Sequence, residues 1–160
     1  MNTTDAIFQR ALGKLLTEIF DGPPGNEAFV LNPGDLGLLR QLDLIDAEAA
    51  SARPMPGKTT IAAHVDHVCF GLSIFNRWFG GVANPWEGAD WNASWKRTTV
   101  SDEQWRTLRA SLRRETEAWR KHLAARSDWD DLTASGALSS VAHTAYHFGA
   151  IRQILAALEK

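Results

Sequence analysis

The 160-residue sequence contains a single cysteine, Cys69. One cysteine cannot form a disulfide within the chain, and such scarcity is typical of proteins from a reducing compartment. No apolar run reaches the roughly 20 residues that a membrane-spanning helix needs. The first residues also lack the basic start and apolar centre of a signal peptide. We therefore expect a cytoplasmic protein without a membrane partner.

An excess of charge of one sign is also missing, because 17 basic and 19 acidic residues give a net charge of −2. No basic run stands out, so the composition does not favour nucleic acid as a partner. The sequence also lacks a glycine-rich phosphate loop, a dinucleotide fingerprint and a convincing Ser/His/Asp set. The chemistry of the protein therefore has to be sought in other residue types.

The length of the chain suits a single domain, which we place at residues 1–160. A chain of this size buries roughly two-thirds of the surface that its unfolded form exposes. It therefore needs neither a disulfide nor a structural metal to fold. A metal ion in such a protein would serve function.

Apolar residues recur at helical spacing in four long segments, and no segment alternates as a strand does. Thr4 is the expected cap of the first segment, Thr59 or Thr60 of the second, and Ser101 with Gln104 forms a capping box for the third. The last three segments run over residues 61 to about 79, 102 to about 124 and about 137 to 158. A short stretch, residues 36 to about 50, predicts one connecting helix. The sequence thus predicts an all-α four-helix bundle, with an extra short helix between the first and second long helices.

Residues 82–100 form a long connection rich in tryptophan, asparagine, glycine and proline. Long loops without secondary structure of their own are uncommon in compact domains and are often functional. The chain has seven tryptophans against one tyrosine, and all seven lie within residues 78–129. Most of them should pack between helices, while one or two could line a pocket that the loop covers.

Two histidines, His143 and His147, stand four residues apart in the last predicted helix. Residues at this spacing lie one above the other on one helical face, so both imidazoles can bind one metal ion. A third ligand would have to come from another helix, where His64 and His67 are candidates. Both lie on the same flank of the second long helix, and periodicity alone does not choose between them.

These segments carry a family resemblance. Residues 60–67, Thr-Ile-Ala-Ala-His-Val-Asp-His, followed far downstream by His143-Thr-Ala-Tyr-His147, resemble the DinB-like superfamily, also described as YfiT-like metal-dependent hydrolases. The resemblance covers about residues 36–157. It implies a four-helix bundle with a three-histidine metal site, one ligand from the second long helix and two from the last. By the spacing of the family, those ligands are His67, His143 and His147.

A three-histidine site leaves coordination positions open, as catalytic metal sites do. Imidazole suits zinc, nickel, iron and copper, and we expect a divalent transition metal, zinc or nickel. The resemblance implies hydrolysis, or transfer involving a low-molecular-weight thiol, on an unknown small-molecule substrate, in a homodimer. The alternatives are a metal-binding protein without catalysis and a dimerising bundle with structural histidines.

Each metal-bound histidine should donate its second ring N–H to an acceptor nearby. Asp66, Asn76 and Gln153 are the acceptors that we expect from the sequence. Cys69, two residues after His67, faces away from it on a helix. We expect it to be a small buried apolar residue and not a ligand.

Overall fold

The computed structural model describes residues 3–158, and within that range it contains helices and no strands. The helices are α1 (Thr3–Asp21), α2 (Leu38–Asp43), α3 (Ala47–Ser51), α4 (Ile61–Phe79), α5 (Asp102–Ala125) and α6 (Asp131–Leu158). A 3-10 turn, Ala93–Trp95, interrupts the long loop before α5. The predicted all-α bundle is therefore confirmed, with α1, α4, α5 and α6 as its long members. None of the helices described is both long and apolar enough to cross a membrane.

The core lies where α4 packs against α5 and α6, and α1 packs against the same two helices. Trp105 and Trp119 of α5 are almost completely buried there. Their indole N–H groups donate to the carbonyl oxygen of Ile45 at 2.7 Å and to Oγ of Ser140 at 2.9 Å. A buried indole N–H usually has such a partner, which avoids the cost of an unpaired donor in the core. These two tryptophans pack between helices, as expected of most of the seven.

The starts of α4 and α5 follow their sequence signals. Oγ1 of Thr60 accepts from the N–H of Ala63, which selects Thr60 over Thr59 as the cap. Both hydrogen bonds of the box between Ser101 and Gln104 are present. At α1 the prediction was wrong, because the helix already includes Thr4. Caps outside a helix satisfy its first N–H groups, so the two bonded caps set where α4 and α5 begin.

The predicted single connecting helix is wrong in detail, because the structure has two short helices, α2 and α3. Asp46 begins α3 by accepting the N–H of Ala49 at 2.8 Å. The carbonyl of Ile45 accepts the indole N–H of Trp105, as described above. These side-chain hydrogen bonds compete with a continuous helical ladder, and the chain turns between the two helices.

Helix α6 begins at Asp131, six residues before the predicted start at Ala137. The carboxylate of Asp130 accepts the N–H of Thr133 at 2.7 Å, which caps the helix earlier. Gly136 lies inside α6, beside Trp78. A Cβ at Gly136 would come within 2.4 Å of the Trp78 ring, so glycine serves close packing here.

Gly136→Ala is expected to destabilise the protein by about 1–3 kcal/mol, because the added methyl group overlaps the Trp78 ring. Gly149→Ala in the same helix is the matched control. Nothing lies within 4 Å of a Cβ at Gly149, so alanine there should stabilise the helix by about 0.5–1 kcal/mol. Urea unfolding of both variants checks the pair, and equal effects would contradict the packing role of Gly136.

Candidate metal centre

Three histidine side chains from two helices meet between α4 and α6. Nε2 of His143 lies 3.1 Å from Nε2 of His67 and 3.0 Å from Nε2 of His147. One nitrogen from each ring lies within 4.8 Å of the others, a grouping that could hold a metal ion. The structure thus brings together the three residues that the family resemblance implied as ligands.

All three rings are kept neutral by their surroundings. Burial, followed by the charges of His143 and His64, lowers the pKa of His67 from 6.5 to about 4. Burial, followed by the charges of its three histidine neighbours, lowers the pKa of His147 to about 3. Burial also lowers the pKa values of His143 and His64. Neutral imidazole is the form that binds metal, so the rings have this form at neutral pH.

Ser94 decides which nitrogen of His67 carries the proton. The Ser94 hydroxyl lies 2.7 Å from the carbonyl oxygen of Trp91 and 2.7 Å from Nδ1 of His67. A carbonyl can only accept, so the single hydroxyl proton goes to Trp91. Nδ1–H of His67 then donates to Oγ of Ser94. Nε2 of His67 therefore presents a lone pair to the other two histidines.

With neutral rings, the contacts among the three Nε2 atoms cannot all be hydrogen bonds at the same time. With a lone pair on Nε2 of His67, a proton on Nε2 of His143 can point to only one of its two neighbours. A proton on Nε2 of His147 can instead serve the contact to His143, but the contact to His67 is then two facing lone pairs. Under either assignment, at least one contact of about 3 Å lacks a proton. A cation among the three nitrogens would satisfy every lone pair.

The tryptophan-rich loop forms a wall of this centre. Trp95 stacks on the His67 ring with centroids 4.2 Å apart, and Trp91 meets the same ring edge-on at 5.7 Å. A hydrogen bond connects the loop to the start of α4, where Oγ1 of Thr60 donates to the carbonyl of Thr98 at 3.0 Å. The aromatic rings shield one side of the histidines from water. Within residues 82–100, Trp91 and Trp95 contact the clustered histidine His67.

Gly71 of α4 makes room for His143. A Cβ at Gly71 would lie 3.3 Å from Cε1 of His143, and Trp91 would be its next neighbour at 3.8 Å. Sequence reasoning missed Gly71 and Ser94. A glycine inside a helix often signals close packing, so Gly71 carried a weak signal. Ser94 carried none, because a serine in a loop is unremarkable until the loop folds back on α4.

The predicted acceptors for the second ring nitrogens were wrong. Asp66 pairs with Arg97 at 3.2 Å, Asn76 donates to the Glu115 carboxylate at 2.7 Å, and Gln153 lines a separate cavity. None of these described contacts reaches a nitrogen of the three clustered histidines. The two partners observed are instead Ser94 for His67 and His64 for His147.

Cys69 lies outside the cluster of potential ligands. It is half-buried and packs against the apolar core. Burial, followed by the charges of Glu115 and Asp66, raises the pKa of its thiol to about 12. A thiol in this state stays protonated and is a poor metal ligand, which agrees with the role expected from the sequence.

His64 was the alternative to His67, and the structure places it differently. Nδ1 of His64 lies 2.9 Å from Nδ1 of His147, on the opposite side of that ring from the three clustered nitrogens. His67 therefore joins the cluster, and His64 lies next to it.

Comparison with known proteins found no match among curated proteins and none among solved structures. A family model of the DinB superfamily matches residues 37–151, which include α4, the tryptophan-rich loop and the three clustered histidines. This match covers more than half of the chain. The chain therefore belongs to the DinB superfamily.

Proposed function

We propose that this protein binds one divalent transition metal ion, zinc or nickel, through His67, His143 and His147. The observation that carries the proposal is the convergence of three neutral imidazoles with too few protons to satisfy their contacts. A tetrahedral zinc site with bonds of about 2.0–2.1 Å separates its ligand nitrogens by about 3.3–3.4 Å. The observed separations of 3.0 and 3.1 Å need only a small outward movement to reach that arrangement.

We further propose that the centre is catalytic, in a metal-dependent hydrolase or a transferase that uses a low-molecular-weight thiol. Three protein ligands leave a position for substrate, as in catalytic and not in structural sites. When bound, such an ion supplies Lewis acidity that polarises a carbonyl oxygen or favours a deprotonated water or thiol. The protein itself orients the His67 ring through Ser94 and keeps water from one side with Trp91 and Trp95. His143 is only half-buried, which leaves a side open to substrate.

The metal content of the protein, purified without chelator, tests this proposal. We expect about one zinc or nickel ion per chain, removable by a chelator and restored by adding the ion. A screen of ester and amide hydrolysis and of thiol transfer should find an activity that follows the metal. A protein that carries no metal and takes up none when offered it would refute the metal site. Activity that survives metal removal would refute only the catalytic part.

A further inference from the structure

We propose that His64 is a positioning residue that holds the ligand His147 in the orientation and tautomer needed for metal binding. This inference rests on the metal site proposed above. His64 lies on α4 one turn before His67, and its side chain is only 6% exposed. The contact between Nδ1 of His64 and Nδ1 of His147, at 2.9 Å, is buried and joins α4 to α6.

The direction of this hydrogen bond follows from the cluster. Nε2 of His147 faces Nε2 of His143 at 3.0 Å and must present a lone pair there to act as a ligand. Its ring proton is then on Nδ1, which donates to Nδ1 of His64. His64 thus accepts with a lone pair on Nδ1 and carries its own proton on Nε2.

The surroundings of His64 suit that tautomer. The residue lines a cavity of about 460 Å³, open to solvent, together with Lys58, Tyr146 and Gln153. Water in this cavity can accept the Nε2–H of His64. The tautomer therefore does not bury a donor without a hydrogen-bond acceptor. Trp95 packs edge-on against the His64 ring at 5.2 Å, which restricts its rotation.

His64 and Ser94 therefore play equivalent parts for two different ligands. Ser94 accepts the Nδ1–H of His67, and His64 accepts the Nδ1–H of His147, so both rings direct Nε2 into the cluster. Trp95 contacts the rings of both His67 and His64. Partners of this kind fix the tautomer of a metal-bound histidine and raise its basicity.

Two substitutions at position 64 test the role. His64→Leu fills the space but cannot accept a hydrogen bond, and it should weaken zinc binding by about 10–100-fold. His64→Asn offers a carbonyl oxygen near the position of Nδ1 and should stay within about 3-fold of the wild type. Competition with a chromophoric chelator measures the affinities, and His122→Leu is the remote histidine control. Equal zinc affinity of the His64→Leu variant and the wild type would overturn the proposal.

Two spectroscopic readouts separate positioning from ligation and from a purely structural role. The cobalt-loaded His64→Leu protein should keep the visible band positions of the wild type, because the ligand set is unchanged, and altered coordination would show that His64 is itself a ligand. Nitrogen-15 NMR of the metal-free wild type should find the His147 proton on Nδ1. A proton on Nε2 would overturn the proposal, even if His64→Leu does not fold. A wild type that binds no zinc refutes the proposed metal site instead, and the NMR measurement still decides the role of His64.

Discussion

Replacing His143 with alanine is expected to lower zinc affinity by roughly 10²–10³-fold. Structural zinc sites with four ligands bind with about 10–16 kcal/mol, so each ligand accounts for about 2.5–4 kcal/mol. Nε2 of His143 lies 3.1 Å from Nε2 of His67 and 3.0 Å from Nε2 of His147. Its loss leaves two donors from different helices, which should hold zinc weakly. Chelator competition measures the affinity, and His67→Ala should show a similar loss.

The control for this experiment is His122→Ala, because His122 lies near the end of α5 and outside the cluster. Without metal, His143→Ala and the wild type should have similar free energies of unfolding. The His143 ring is only half-buried, and at least one of its two Nε2 contacts has no proton to form a hydrogen bond. Unchanged zinc affinity in His143→Ala would rule out the proposed ligand set. A large loss of stability without metal would instead point to a structural histidine.

The stability of the metal-free protein should fall steeply between about pH 6.5 and pH 4. His67 and His147 have pKa values near 4 and 3 in the folded chain, against an ordinary value of 6.5, chiefly because of burial. In this interval the unfolded chain binds more protons than the folded one, so acid favours unfolding. The stability is therefore fully present above pH 6.5 and is lost as the pH falls towards the folded pKa values. Each histidine adds a slope of up to about 1.4 kcal/mol per pH unit.

Urea unfolding at several pH values, with a chelator present, checks this dependence. Carboxylates titrate mainly below about pH 4.5, so the slope between pH 6.5 and 4.5 reports chiefly on the histidines. His147→Leu should flatten the slope, because it removes a group whose pKa burial lowers to about 3. The same stability at pH 6.5 and pH 4.5 would show that these rings are not held neutral by the fold.

The predicted zinc affinity and the predicted acid sensitivity both follow from the close packing of the histidines. The four histidines pack closely in a space from which water is largely excluded. Protonation of these rings therefore destabilises the folded chain, because charged rings repel one another and are poorly solvated there. The same neutral rings, directed by Ser94 and His64, form a ready set of metal donors. An ion that binds the folded chain but not the unfolded one stabilises it. We therefore expect acid to destabilise the metal-free protein and the proposed ion to stabilise it.

Much of the fold could be predicted because its signals are local. Thr60 and the box of Ser101 with Gln104 lie within four residues of the helix starts that they cap. Two of the departures from the prediction involve contacts between residues distant in sequence. Gly136 lies inside α6 in close contact with Trp78, and the chain turns between α2 and α3 near Ile45, whose carbonyl accepts from Trp105. Local patterns do not contain these distant partners.

For the site, the sequence by itself determined that His143 and His147 share one face of one helix, because a spacing of four residues has only one outcome on a helix. The family pattern added His67. Only the tertiary structure decided what His64 and Ser94 do, since their partners lie 83 and 27 residues away along the chain. His64 and His67 lie on the same flank of α4, and which ring nitrogen reaches the cluster depends on how α6 and the tryptophan-rich loop pack against that flank. Helical periodicity describes one helix at a time and contains no information about that packing.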